Sequence, residues 1–242
     1  MGIRRRAART FVKVALLGDI HGNAAALAAV LADARDAGAG FLCVTGDLVG
    51  YYYDPAGVIA LLSAWPFACV RGNHEDLVLA SACNPAEHDR VRAKYGSGID
   101  HALALPVRDL AWLAALPVTA SLMLGGRRIL LCHGSPWDTD RYIYPDADLS
   151  TLTRLDEFGH EMIVLGHTHW RKTWQIGGTL VVNPGSTGQP RDRIPGAAWA
   201  LLDTDTLAVE HRIARYDVAA LVAEASARDP DLPYLSKVLV RE

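Results

Sequence analysis

Short apolar runs rich in Val, Ile, Leu and Phe alternate along this chain with Ala- and Leu-rich stretches, and Gly, Pro or polar turns separate them. The first run, Val12–Gly18, gives way to Asn23–Ala37, where Ala, Leu and Val favour one long helix that Gly38 stops. Phe41–Thr45 reads as a second strand, Val58–Ala64 as a helix ended before Pro66, and Phe67–Val70 as a third strand. Asp109–Leu116 predicts a short helix, and Val118–Leu124 with Arg128–Cys132 a hairpin about Gly125-Gly126. Leu149–Phe158 follows as a helix and Met162–Leu165 as a buried strand. Two more hairpins pair Arg171–Ile176 with Thr179–Val182 and Ala197–Asp203 with Leu207–Ile213, whereas residues 84–105 carry no readable period. Strands and helices alternating in this way indicate an α/β fold, packed as two sheets with helices outside.

Length and charge narrow the picture. The 242 residues suit one core, so residues 11–242 are expected to form a single domain behind a basic, disordered tail at 1–10. That tail holds Arg4, Arg5, Arg6 and Arg9, which leaves 20 of the 24 basic groups against 27 acids and a body near −7. Such a body is poorly suited to duplex nucleic acid, whose non-specific affinity comes from Lys and Arg on phosphates, but it is compatible with small phosphate esters. No apolar run approaches the roughly 18 residues of a membrane span. The N-terminal RRRAARTFVKVALLG superficially resembles a twin-arginine signal, yet its apolar stretch is short and stops at Gly18-Asp19. Cys43, Cys69, Cys83 and Cys132 form no C-x-x-C pair, and three of them sit in apolar runs, which fits a reducing cytoplasm.

Candidate chemistry gathers at the ends of five runs: VALLGDIH, FLCVTGD, FACVRGNHE, ILLCHG and MIVLGHTH. Open α/β sheets place ligands beyond the carboxyl ends of their strands, so these tips can converge. Together they offer Asp19, His21, Asp47, Asn73, His74, His133, His167 and His169. Taken singly, Asp19 and Asn73 read equally as cap or turn residues, and His133 as a hydrogen-bonded core histidine. Five of the nine histidines at such tips point instead to a shared site. Carboxylate, imidazole and amide without thiolate suit Mn, Fe, Zn, Co or Ni, and the donors outnumber what one ion needs. Two cations sharing a carboxylate could hold an attacking hydroxide and a phosphate oxygen together.

The ordered set Asp19-x-His21, Gly46-Asp47, Gly72-Asn73-His74-Glu75, His133 and Gly166-His167-Thr168-His169, spanning residues 13–212, resembles the calcineurin-like metallophosphoesterase superfamily. The resemblance implies a four-layer αββα sandwich of two mixed β-sheets flanked by helices, and hydrolysis of a phosphate ester at a dinuclear centre by a metal-bridging hydroxide. It further implies that Asp19, His21 and His169 bind the first metal, that Asp47 bridges, and that Asn73, His133 and His167 bind the second. His74 would contact the phosphate and protonate the leaving oxygen.

Branch-level features refine this. The protein-phosphatase branch carries an Asp where this chain has Gly50, although Arg71 resembles that branch's phosphate-binding arginine. GDLVGYYYDP, HGSP and NPGSTGQPRD look like the small bacterial phosphodiesterase-like branch, which implies a small or nucleotide-like diester as substrate. A phosphomonoesterase is the nearest alternative, and a non-catalytic scaffold, as another use of this fold, would be expected to lack site residues present here. Arg71, Arg191 and Tyr51 are candidate substrate contacts, with Asn183 and Ser186 beside them. Tyr51 could stack on a base or aryl ester, or pack against the rim.

Overall fold

A computed structural model describes residues 13–241. The basic tail expected at 1–10 lies outside the described residues. The elements run β1 (Lys13–Leu17), α1 (Ala24–Asp36), β2 (Phe41–Val44), α2 (Pro55–Ser63), β3 (Phe67–Cys69), α3 (Asn73–Cys83), α4 (Pro85–Tyr95), α5 (Gly98–Leu103) and α6 (Val107–Ala115). They continue with β4 (Thr119–Leu124), β5 (Arg127–Cys132), α7 (Leu149–Asp156), β6 (Met162–Val164), β7 (Arg171–Ile176), β8 (Thr179–Pro184), β9 (Ala197–Asp203), β10 (Val209–Ala214), α8 (Val218–Arg228) and α9 (Tyr234–Lys237).

The strands form two mixed five-stranded sheets, ordered β10-β9-β1-β2-β3 and β4-β5-β6-β8-β7. In the first, β1, β2 and β3 are parallel and β9 returns antiparallel to β1, Leu16 facing Ala200. In the second, β5, β6 and β8 are parallel, with antiparallel β4 and β7 at the edges. Side chains alternate across each strand, so one strand serves two layers. Val14 and Leu16 of β1 pack between the sheets against Ile129, Leu131 and Val164. Ala15 and Leu17 face the helical layer with Leu27, Val30 and Val58. On the far side, Leu130 and Ile163 pack with Leu152 and Leu155 of α7. The result is the expected αββα sandwich.

Several boundaries differ from expectation for local reasons. Helix α2 begins at Pro55 because Asp54 caps Gly57 N–H at 2.8 Å and proline is tolerated in a first turn. The unreadable stretch 84–105 is two helices. Asn84 caps α4, whose sequence PAEHDRVRAKY buries only Val91 and so shows no apolar stripe. The segment beyond β10 is also helical, with Asp217 capping α8. It packs on the tyrosine run, Tyr52 and Tyr53 being buried with Ala225, Leu235 and Leu239.

Candidate metal centre

The five predicted tips meet where the carboxyl ends of β1, β2, β3, β5 and β6 face one another. His133 Nδ1 donates to Thr45 O at 2.8 Å and ties the two sheets together there. Ligand-type atoms of Asp19, His21, Asp47 and His169 all lie within 4.8 Å of one another, as do those of Asp47, His133 and His167. Asn73 Oδ1 stands 3.0 Å from His133 Nε2. The backbone is strained to achieve this. Among the described residues, seven non-glycine residues have positive φ, and five of them are Asp19, His21, Asp47, His167 and His169, at 51° to 68°. Each such residue costs about 1–3 kcal/mol and persists only where its surroundings enforce it, a pattern that clusters at functional sites.

The imidazoles are oriented as metal ligands are. His21 Nδ1 faces Val49 O at 3.1 Å, His169 Nδ1 faces Gln189 O at 2.6 Å, and His167 Nε2 faces Asp140 O at 3.2 Å. A carbonyl only accepts, so each of these nitrogens carries the hydrogen, and in a neutral ring the opposite nitrogen presents a lone pair inward. Those inward atoms nearly touch: His21 Nε2 and His169 Nε2 are 3.1 Å apart, and His133 Nε2 and His167 Nδ1 are 3.1 Å apart. Facing lone pairs at that distance repel unless a cation or proton lies between them. Each of the two clusters could hold an ion, with Asp47 common to both.

Burial decides the charge states. It holds His21, assisted by His74, and His169, assisted by Arg191, well below the usual imidazole range, and it lowers His167 to about 4. Burial also raises Asp19 to about 7. His133 is the exception, because the Asp47 carboxylate, 3.3 Å from Nε2, overcomes burial and lifts it to about 10. Burial alone would raise Asp47, but the facing His133 and His74 bring it well below its usual value.

Glu75 is the residue that sequence reasoning passed over. It is fully buried and its two oxygens accept four backbone N–H groups, from Asp47 (2.9 Å), Leu48 (2.7 Å), Val49 (3.3 Å) and Gly72 (2.7 Å). Burial and the Asp47 charge raise its carboxyl to about 7, while these donors oppose the shift and match an ionised acceptor. Glu75 thus fixes the loop that carries Asp47 onto the start of α3. Glu75→Gln would turn an amide NH₂ toward N–H donors. A loss of about 3 kcal/mol in urea unfolding of the metal-free protein is expected, and an unchanged midpoint would contradict this role.

His74 borders the centre, its ring 4.6 Å from that of His21 and 4.8 Å from Tyr95. Gly50 has φ +123°, and a Cβ there would stand 2.3 Å from His74 Nδ1, so the ring occupies space that an Asp side chain would need. Tyr51 lines the pocket over the centre but is only 7% exposed, packed against His21, His74 and Tyr95 rather than standing free. Its hydroxyl instead accepts from Arg191 Nη2 at 3.1 Å, and Gln189 Oε1 accepts from the same nitrogen at 3.0 Å. Arg191 lines the pocket over the centre together with Asn73, His74 and His167. Arg71 is held elsewhere, its Nε 3.0 Å from Asp76 Oδ1 and its Nη1 donating to Ala114 O at 2.9 Å. Asn183 and Ser186 are buried braces: Asn183 donates to Gly166 O (2.7 Å) and Ser186 to Asp19 O (2.7 Å). Lys94, Tyr95 and Tyr142 also line the pocket. Sequence reading missed them because α4 and the loop before α7 have no distinguishing pattern.

Comparison with known proteins agrees with this geometry. A sequence model of the calcineurin-like phosphoesterase superfamily domain matches residues 12–207. The uncharacterized protein MJ0912 of Methanocaldococcus jannaschii is 27% identical over 224 residues, covering 85% of this chain and 88% of that protein. Phosphodiesterase YfcE of Escherichia coli K12 is 26% identical over 203 residues, covering 82% and 91%. The crystal structure of a metallophosphoesterase from Sphaerobacter thermophilus superposes with a TM-score of 0.76 at 25% identity, covering 96% of this chain and 99% of that one. Matched by the family over most of its length and carrying paired Asp/His clusters at the strand tips, the chain belongs to the calcineurin-like phosphoesterase superfamily.

Proposed function

We propose that the protein is a dinuclear-metal phosphodiesterase acting on a small or nucleotide-like ester. The observation that carries this reading is the pair of facing imidazole nitrogens, 3.1 Å apart in each cluster, with Asp47 between the clusters. Asp19, His21 and His169 would hold one ion, Asn73, His133 and His167 the other, and Asp47 both. When bound, Mn, Fe, Zn, Co or Ni would supply Lewis acidity and a water of lowered pKa. The chain's own groups do the rest. Arg191, steadied by Tyr51 and Gln189, offers its guanidinium to a phosphate oxygen. His74 sits on the rim to donate a proton to the leaving oxygen, and in the unliganded chain burial keeps it near 4 despite Asp47, so phosphate charge is needed for the ring to hold a second proton. The diester preference follows the similarity to YfcE, named a phosphodiesterase. No helix among the described residues is long and apolar enough to cross a membrane. A small phosphate ester and a cytoplasmic location complete the reading.

The test is turnover of bis(p-nitrophenyl) phosphate and p-nitrophenyl phosphate by metal-reconstituted protein. Metal-dependent cleavage favouring the diester supports the reading, and absence of metal-dependent turnover on both overturns it.

Proton release on metal binding offers an independent check. In the metal-free protein the His133 proton occupies the place between Nε2, Asp47 and Asn73, and it stays bound until pH rises through about 10. Metal binding must displace it, whereas His21, His167 and His169 are already neutral. Calorimetry in buffers of different ionisation enthalpy should therefore record release of about one proton at pH 8. Below pH of about 7 Asp19 also holds its proton, so release increases and affinity falls more steeply. Release that is absent at pH 8 would contradict this assignment.

A further inference from the structure

The pocket over the metal centre does not end at its rim. A groove of about 520 Å³ continues from it between α3 and α4 on one side and the loop before α7 on the other. Asn73, Lys94, Tyr95 and Tyr142 line both spaces. Tyr95 forms the joint, its ring 4.8 Å from that of His74. A leaving oxygen must lie beside the acid that protonates it, so the group attached to that oxygen extends past Tyr95 into this groove.

The charges along the groove are not equivalent. Arg90 is held by Glu87, Nε to Oε2 at 2.9 Å, and Asp76 by Arg71 at 3.0 Å. Lys94 Nζ lies 4.7 Å from the centre of the Tyr95 ring and makes no ion pair among the described residues. On the opposite wall Asp140 lines the groove, its carboxylate without a hydrogen-bond or ion-pair partner among the described residues, while its backbone carbonyl accepts from His167. One unpaired donor and one unpaired acceptor therefore remain beside the Tyr95 ring, whereas the Tyr142 ring is stacked on Tyr144 at 5.5 Å and lies 3.8 Å from that of His167. An anionic leaving group would meet Asp140 and a cationic one Lys94. A neutral ring carrying several hydroxyls meets neither penalty: a carboxylate and an ammonium both bind hydroxyl groups, and the Tyr95 ring offers apolar contact to the rest of it.

We propose that this groove is a leaving-group subsite for a hydroxyl-bearing ring alcohol, a nucleoside or a sugar, held by Lys94 and Asp140 beside Tyr95. The proposal rests on the phosphoesterase reading above. It predicts that Lys94→Gln and Asp140→Asn change selectivity rather than the metal centre.

The experiment compares metal-reconstituted full-length protein and both variants on a dinucleoside monophosphate, a di-hexosyl phosphate and bis(p-nitrophenyl) phosphate, whose aryl groups carry no hydroxyls. In each variant, kcat/KM for at least one hydroxyl-bearing substrate should fall about tenfold relative to the aryl diester, the loss expected for one hydrogen bond to a charged group. Free adenosine or glucose should compete with the aryl diester in the wild type and more weakly in Lys94→Gln; whichever substrate and competitor respond identify the source of the ring. A ratio unchanged in both variants, with aryl turnover intact, overturns the subsite alone. Failure of the wild type on all three substrates overturns the phosphoesterase reading itself.

Discussion

Asp47→Asn is expected to reduce the metal content from two ions per chain to at most one and to lower turnover by roughly a thousandfold, the scale of several kcal/mol of lost transition-state stabilisation. Among the described residues Asp47 alone is common to both candidate clusters, and Asn keeps its shape while removing its charge. The backbone N–H of His74 donates to Asp47 Oδ1 at 2.9 Å, so the amide can retain that contact if its oxygen faces the helix. The fold should therefore survive. His133 would lose the carboxylate that lifts its pKa to about 10 and would titrate lower. Metal analysis and turnover on the same sample check the prediction together, and full activity with two bound ions would contradict it.

His74→Asn is expected to spare the metals and impair the chemistry. A positioned acid contributes about 10²–10⁴-fold, so turnover of a diester with an alkyl leaving group should fall by that order. The fall should be much smaller for bis(p-nitrophenyl) phosphate, because p-nitrophenolate departs without a proton. The contrast separates an acid from a residue that merely packs. His74 does pack, against His21, Tyr51 and Tyr95, and a purely structural loss would reduce both substrates equally.

The sheets were legible in the sequence because β1, β2, β5 and β6 are buried on both faces and read as continuous apolar runs ended by glycine. The candidate ligands Asp19, Asp47, His133 and His167 stood out for the same reason, each lying just beyond such a run. What sat outside that signal was lost. Helix α4 is mostly exposed and shows no stripe, yet its last turn supplies Lys94 and Tyr95. The strained φ of Asp19, His21, Asp47, His167 and His169 has no sequence signature, since Asp and His tolerate both conformations. Glu75 stood in the Gly72-Asn73-His74-Glu75 block without a role of its own, and only the three-dimensional loop shows that it gathers N–H groups from two strand tips. Whether the Tyr51–Tyr53 loop stacks on substrate or packs against the rim stayed open in the sequence, because the partners of Tyr52 and Tyr53, Leu235 and Asp229, lie more than 170 residues later.

The proposed chemistry depends on two ions sharing one centre through Asp47. Metal content measured against turnover during stepwise reconstitution of the chelated protein tests it most directly. Two equivalents per chain should bind, with activity appearing chiefly as the second is taken up. Saturation at one equivalent with full activity, or turnover that persists without metal, would contradict it.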